Sequence, residues 1–212
     1  MTKVKFCGLR RMEDIQAANA LLPDYIGFVF APSPRQVTPE LAKSLRQKLD
    51  RSIASVGVFV DAAIEDIAAL CESGVITHIQ LHGHEDEAYL TQLRSRIKAP
   101  IIKAIRVQSR EQVLAAQALP CEYLLLDSYH DKKMGGSGKA LDLSLIPPLT
   151  KPFFLAGGLD AGNVKERIAA CRPYGVDVSS GVETAGFKDP EKMREFINAV
   201  YSYSLKTRSE VS

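Results

Sequence analysis

A chain of 212 residues, 46% hydrophobic and 25% charged, can bury a sizeable core, which excludes an intrinsically disordered segment. The formal charge is only +2, with acidic and basic residues interspersed, so no basic stripe marks a nucleic-acid binder; a small anion held by backbone N–H groups fits that balance. No apolar stretch approaches the ~20 residues that span a bilayer, and the opening "MTKVKF" lacks the apolar region of a secretory signal, so a cytoplasmic protein with no membrane contact is expected.

The first apolar run, "VKFC" (4–7), reads as a strand that ends on Cys7, with Gly8 letting the chain turn away. "YIGFVF" (25–30) is the second strand, followed by "APSPRQV", a proline-stiffened loop carrying Arg35. A guanidinium held there can grip a carboxylate by two oxygens, although most arginines are simply solvated. Thr38 and Pro39 suit a helix start, with Leu41, Leu45 and Leu49 spaced along one face. After the third strand, "SVGVFV" (55–60), Ile64, Ile67, Ala68 and Cys71 recur at helical spacing before Gly74. The fourth strand, "HIQLH" (78–82), brings His82 close to His84, but no third ligand has suitable spacing, so no metal is expected.

"IIKAI" (101–105) precedes "SREQ" (109–112), a capping box, and "YLLLD" (123–127) ends on Asp127. "MGGSGKALDLSLIPPL" then has glycines where a helix should start and Pro147-Pro148 where it should continue. A degenerate sixth helix is predicted there, a loop with one short turn at most. "FFLAG" (153–157) leads into the glycine-rich "LAGGLDAGNV" and a helix lined by Val164, Ile168 and Cys171. "VDVSS" (176–180) ends at Gly181, and Asp189-Pro190 opens a last helix with Met193, Phe196, Ile197, Val200 and Tyr201 as its apolar stripe.

Eight apolar runs that are continuous rather than alternating suit a parallel sheet covered on both faces. Eight strand–helix units with no linker predict one α/β domain over residues 1–205, a (β/α)8 TIM barrel; a doubly wound open sheet is the alternative. The polar tail 206–212 is expected to fray. The four cysteines, Cys7, Cys71, Cys121 and Cys171, form no C-x-x-C pair and read as reduced thiols.

In such a barrel the chemistry sits at the carboxyl ends of the strands. Cys7 and Asp127 end strands that lie roughly opposite, so a thiol and a carboxyl could flank one substrate as base and acid. Equally, Cys7 could be a core residue and Asp127 a helix cap, and position alone leaves both readings open. The glycine loops after strands seven and eight, with Gly157, Gly158, Ser180 and Gly181, favour a phosphate over ordinary tight turns. "GGSGKA" lacks the leading glycine of a P-loop and its Ser or Thr, and "GGLDAG" misses the dinucleotide pattern, so ATP and NAD are unsupported.

The chain resembles the phosphoribosylanthranilate isomerase family of tryptophan biosynthesis. The likeness runs through "KVKFCGLRRMEDI", "GFVFAPSPRQV", "VGVFVD", "IQLHG", "LLLDS", "GGSGKALD", "FFLAGGLDAGNV", "GVDVSSGVET" and "KDPEKMREFINAV", covering about residues 3–201 in order. The resemblance implies a cofactor-free Amadori rearrangement of a phosphorylated sugar–anthranilate substrate, with Cys7 as general base and Asp127 as general acid. It also implies that Arg35 holds the anthranilate carboxylate, that Gly157, Gly158, Ser180 and Gly181 grip the phosphate, and that Asp177 lies near the sugar. Arg10 stands where many relatives carry threonine, and Asp61 where many carry asparagine. The related histidine-pathway isomerase has an aspartate in place of Cys7, and the lysine–glutamate pair of indole-glycerol-phosphate synthase is not recognisable. A phosphate-binding barrel without turnover is the remaining alternative. A monomer is expected, with a homodimer as the other option.

Overall fold

Eight parallel strands close into a ring in sequence order in the computed structural model, which describes residues 1–128 and 141–209. The strands are β1 (Lys3–Cys7), β2 (Tyr25–Val29), β3 (Ala54–Phe59), β4 (His78–Leu81), β5 (Ile101–Val107), β6 (Tyr123–Ser128), β7 (Phe153–Leu155) and β8 (Gly175–Val178). The helices are α1 (Met12–Leu21), α2 (Pro39–Arg46), α3 (Ile64–Glu72), α4 (Glu87–Arg96), α5 (Arg110–Ala116), α6 (Val164–Cys171) and α7 (Pro190–Ser209). Closure leaves no open edge, so the doubly wound alternative is set aside.

Among the described residues of the connection from β6 to β7, the helical structure is one 3-10 turn, Leu143–Leu145, before Pro147-Pro148. Prolines there remove the N–H donors that a longer helix needs. The "GGSGKA" segment lies outside the described residues. So does the end of the tail expected to fray, whereas α7 itself continues to Ser209.

The helix caps follow their side-chain chemistry. Thr38 Oγ1 accepts from Leu41 N at 3.2 Å, and Ser109 Oγ accepts from Gln112 N at 3.2 Å. The Gln112 side chain reaches back to Gln108 N at 2.9 Å rather than to Ser109, a slightly wider box than expected. Gly74, at φ +70°, ends α3. One expected face is met in part: Leu45 and Leu49 are buried, Leu41 is 38% exposed, and Ala42 turns inward in its place. Three residues spaced by four drift around a helix of 3.6 residues per turn, and α2 stops at Arg46 before Leu49.

Alternation along the strands divides the core in two. Tyr25, Val56, Ile102, Ala104, Leu125, Phe154 and Ala156 pack together inside the ring, while a larger apolar layer fills the space between the strands and the helices. The inward row continues at every second residue toward the carboxyl ends. In register, Lys5 pairs with Tyr25 and Asp177, Cys7 with Gly27, and Asp127 with Arg106. Cys7 and Asp127 therefore share the inner face of the mouth, separated by β7 and β8 around the shorter arc.

Lys103 faces the other way and ties down the rim. Its Nζ is 2.6 Å from Glu85 Oε2 and 2.9 Å from the Gly83 carbonyl oxygen, and Glu85 Oε1 accepts from Asp61 N at 2.9 Å. Both side chains are nearly sealed from solvent. Removing one member of such a pair strands a charge, so Lys103→Met is expected to cost about 3 kcal/mol, read by urea unfolding. A change below about 1 kcal/mol would show that the pair does not pin these loops.

Candidate active site

Cys7 ends β1 with 8% of its surface exposed and belongs to neither apolar cluster. Its surroundings are ionic. Lys5, two residues earlier on the same inward face, is fully buried, with Nζ 2.9 Å from Asp177 Oδ1. Asp177 is thus engaged by Lys5 from inside the ring. The chain leaves β1 through Gly8 at φ +84°, and the N–H groups of Gly8 and Leu9 both donate to the Gly27 carbonyl, at 2.9 and 3.1 Å. Burial dominates and leaves the Cys7 thiol raised; Lys5 and, less, Lys188 pull it down against that, and Asp177 adds to the rise.

A Cβ at Gly8 would stand 2.5 Å from Arg35 Cδ, so this glycine lets Arg35 lie across the turn after Cys7. Arg35 is not a solvated loop side chain. Its Nε and Nη2 each donate at 2.7 Å to the two oxygens of Glu183, which follows the 3-10 turn Ser180–Val182. Among the described residues, Nη1 has no protein partner. Lys188 Nζ donates to Glu183 Oε1 at 2.6 Å and to the Ser179 carbonyl at 2.9 Å, and Ser179 Oγ donates to the Cys7 carbonyl at 3.0 Å. Glu183 and Lys188 sit on a short hairpin, β9 (Glu183–Thr184) and β10 (Phe187–Lys188), with Arg10 and Arg11 stacked over Phe187.

Asp127 ends the inward row of β6 and stays partly open to solvent. Its Oδ1 accepts from Ser128 N at 2.8 Å, and its Oδ2 lies 3.4 Å from His82 Nε2. His82 Nδ1 is in turn 3.2 Å from Gln80 Nε2 inside the ring. A file of Gln80, His82 and Asp127 thus runs from the interior to the mouth. His84 is apart from it, on Asp61 Oδ2 at 2.9 Å, so the two histidines do not converge.

The glycine loops meet each other. Gly157 and Gly158 have φ of +84° and +65°, and a Cβ at Gly181 would fall 1.9 Å from the Leu159 carbonyl oxygen. Only glycine allows the loops after β7 and β8 to approach this closely. Asn163 Nδ2 braces the first loop by donating to the Gly158 carbonyl at 2.8 Å. A separate cavity of about 730 Å³ between α2 and α3, lined by Phe30, Thr38, Lys43, Phe59, Asp66 and Ser73 among others, contains none of the candidate catalytic groups.

The structure thus gathers Cys7, Asp177, Arg35, Ser180 and Gly181 around the ends of β1 and β8, with Gly157, Gly158 and Asp127 continuing along β7 and β6. Sequence reading passed over Lys5, Gln80, Glu183 and Lys188. A lysine inside the apolar run "VKFC", two residues before Cys7, was a visible signal for the first. Gln80 shares a strand face with His82 and was similarly open to notice. Nothing local marks Glu183 and Lys188.

Comparison with known proteins identifies a family for the chain. The family model described as N-(5′-phosphoribosyl)anthranilate (PRA) isomerase matches residues 4–199. A protein of Lachnoclostridium phytofermentans called N-(5′-phosphoribosyl)anthranilate isomerase is 45% identical, over 95% of this chain and 99% of its own length. The crystal structure of phosphoribosyl anthranilate isomerase from Thermotoga maritima superposes with a TM-score of 0.83 at 34% identity, covering 95% of this chain and 100% of that one. A structure of the same enzyme type in complex with reduced 1-(o-carboxyphenylamino)-1-deoxyribulose 5-phosphate gives 0.80 at 31% identity, over 95% and 100%.

Burial pushes the Glu183 carboxyl up, but hydrogen bonds and charge from Arg35 and Lys188 outweigh it and hold the group at about 2. A carboxyl depressed on folding contributes stability above its unfolded value, near 4.3, and loses it as pH falls toward about 2. Urea unfolding at a series of pH values should therefore show the stability gap between the native chain and Glu183→Gln closing across that window. A gap independent of pH would contradict the assignment.

Proposed function

The chain belongs to the N-(5′-phosphoribosyl)anthranilate isomerase family, and we propose that Cys7 and Asp127 are the base and acid of its reaction. That reaction, a step of tryptophan biosynthesis, is the Amadori rearrangement of N-(5′-phosphoribosyl)anthranilate to 1-(2-carboxyphenylamino)-1-deoxyribulose 5-phosphate. The observation that carries the residue assignment is the shared inward face of Cys7 and Asp127 at the mouth, with charged rather than apolar groups around the thiol.

Asp127 protonates the ring oxygen of the furanose, and the C1–O bond breaks to leave an iminium on the anthranilate nitrogen. Cys7, as thiolate, removes the proton from C2; the C–H electron pair forms the C1–C2 double bond, and the iminium nitrogen accepts the displaced pair. Tautomerisation of the enolamine places one proton on C1 and releases one from the C2 hydroxyl. Base and acid are thereby reset, and the substrate's own nitrogen serves as the electron sink.

Arg35 meets the anthranilate carboxylate with its Nη1 edge, the edge that Glu183 leaves unused. Gly157, Gly158, Ser180 and Gly181 hold the phosphate through backbone N–H groups, and Asp177 approaches the sugar beside Cys7. Binding both distant anions fixes the reacting carbons between acid and base. A monomeric working unit, with a homodimer as the alternative, belongs to the same reading. No helix among the described residues is long and apolar enough to cross a membrane, and a cytoplasmic location belongs to the same reading.

Cys7→Ala and Asp127→Asn should each lower kcat at least ~10²-fold in a fluorescence assay of freshly made phosphoribosylanthranilate, with no metal or nucleotide added. Near-native turnover in either variant would remove that residue from the chemistry. Arg35→Met should mainly raise KM; an unchanged KM would return Arg35 to a purely structural tie with Glu183.

A further inference from the structure

Lys5 is fully buried inside the barrel. Taking an ammonium out of water costs several kcal/mol, and one carboxylate offsets that only in good geometry, so packing alone does not account for a lysine here. Its place beside the thiol does. Gly27 faces Cys7 in the β1–β2 register. A Cβ on Gly27 would stand 2.9 Å from Cys7 Sγ and 3.3 Å from Lys5 Nζ, so sulfur and ammonium border the same unfilled point. Asp177 Oδ1 holds Nζ at 2.9 Å from the β8 side and occupies only one of its three N–H donors.

Other charges reach Cys7 from the elements around it. Lys188 arrives from β10, but its charge is shared with Glu183 at 2.6 Å. Arg35, from the β2–α2 loop, is bound to the same carboxylate. Asp177 opposes a negative sulfur. Lys5 is thus the cation placed directly along the strand from the base.

Building on the assignment of Cys7 as base, we propose that Lys5 is a positioning residue whose ammonium, held by Asp177, stabilises the Cys7 thiolate that takes the C2 proton. The C–H bond breaks, the S–H bond forms, and Lys5 keeps its own protons throughout. Its partner Asp177 fixes the ammonium, which offsets part of the burial that disfavours the thiolate, and the sulfur stays basic enough to take a proton from carbon.

The test is alkylation of Cys7 by iodoacetamide in the intact, substrate-free enzyme as a function of pH, read by mass spectrometry of the Cys7 peptide. Cys71 and Cys171, both pushed up to about 11 by burial, serve as internal controls. In Lys5→Met the Cys7 rate at neutral pH should fall at least ~10-fold, with its inflection moved up by about one pH unit or more, while the control thiols stay put. The acid limb of kcat should move with it, and KM should change little. Because Lys5→Met leaves Asp177 unpaired, the charge-balanced Lys5→Met/Asp177→Asn variant is measured alongside, and a smaller upward shift is expected there. A Cys7 inflection unchanged from the native chain in whichever variant folds would overturn the proposal and leave Lys5 a structural residue. The alkylation readout needs no turnover, so it is separable from the Cys7→Ala assay, which tests the assignment of the base itself.

Discussion

The closed ring of parallel strands imposes an alternation that the rest of the site depends on. Each strand can send only every second side chain inward, and all eight run the same way, so the inward rows finish together at one mouth. Their contents change with depth. An aromatic and aliphatic floor around Tyr25, Leu125 and Phe154 gives way to Lys5, Asp177 and Gln80, and then to Cys7, His82 and Asp127. A shift of one residue in β1 would send Lys5 and Cys7 into the helix layer and remove the base from the site.

Buried charge then does two different jobs. Outside the ring, Lys103–Glu85 and the Arg35–Glu183–Lys188 cluster satisfy loop backbone groups and hold the rim in shape. Inside it, Lys5 and Asp177 set the electrostatic surroundings of a single sulfur. The Arg35 cluster joins both roles, because Glu183 orients the guanidinium plane while leaving one edge for an anion. A flexible surface arginine would have to give up more side-chain freedom to bind the same carboxylate.

Much of this was legible in the sequence because the controlling interactions are local. Continuous apolar runs marked the strands, Thr38 and Ser109 acted as helix caps, and the described stretch before Pro147-Pro148 forms one 3-10 turn. Leu41 was misread because a four-residue spacing drifts off a helix face. Cys7 and Asp127 were identifiable as strand-end residues, but whether the thiol lay among apolar or charged neighbours depended on β8 and on the hairpin, more than 160 residues away. Glu183 was unreadable for the same reason. Its partner Arg35 lies 148 residues earlier, and only ring closure brings the two loops together. Lys5 was readable and passed over, since a lysine within an apolar strand is a sign of buried charge rather than an exception to the pattern.

The most direct test of the central claim is a crystal structure of the chain with the reaction product, 1-(2-carboxyphenylamino)-1-deoxyribulose 5-phosphate, bound. Cys7 Sγ is expected within about 3.5 Å of the C1–C2 unit of the sugar and the Asp127 carboxyl within about 3.2 Å of the C4 hydroxyl, the former ring oxygen. A product seated with either group out of reach of the sugar, or lodged in the cavity between α2 and α3, would contradict it.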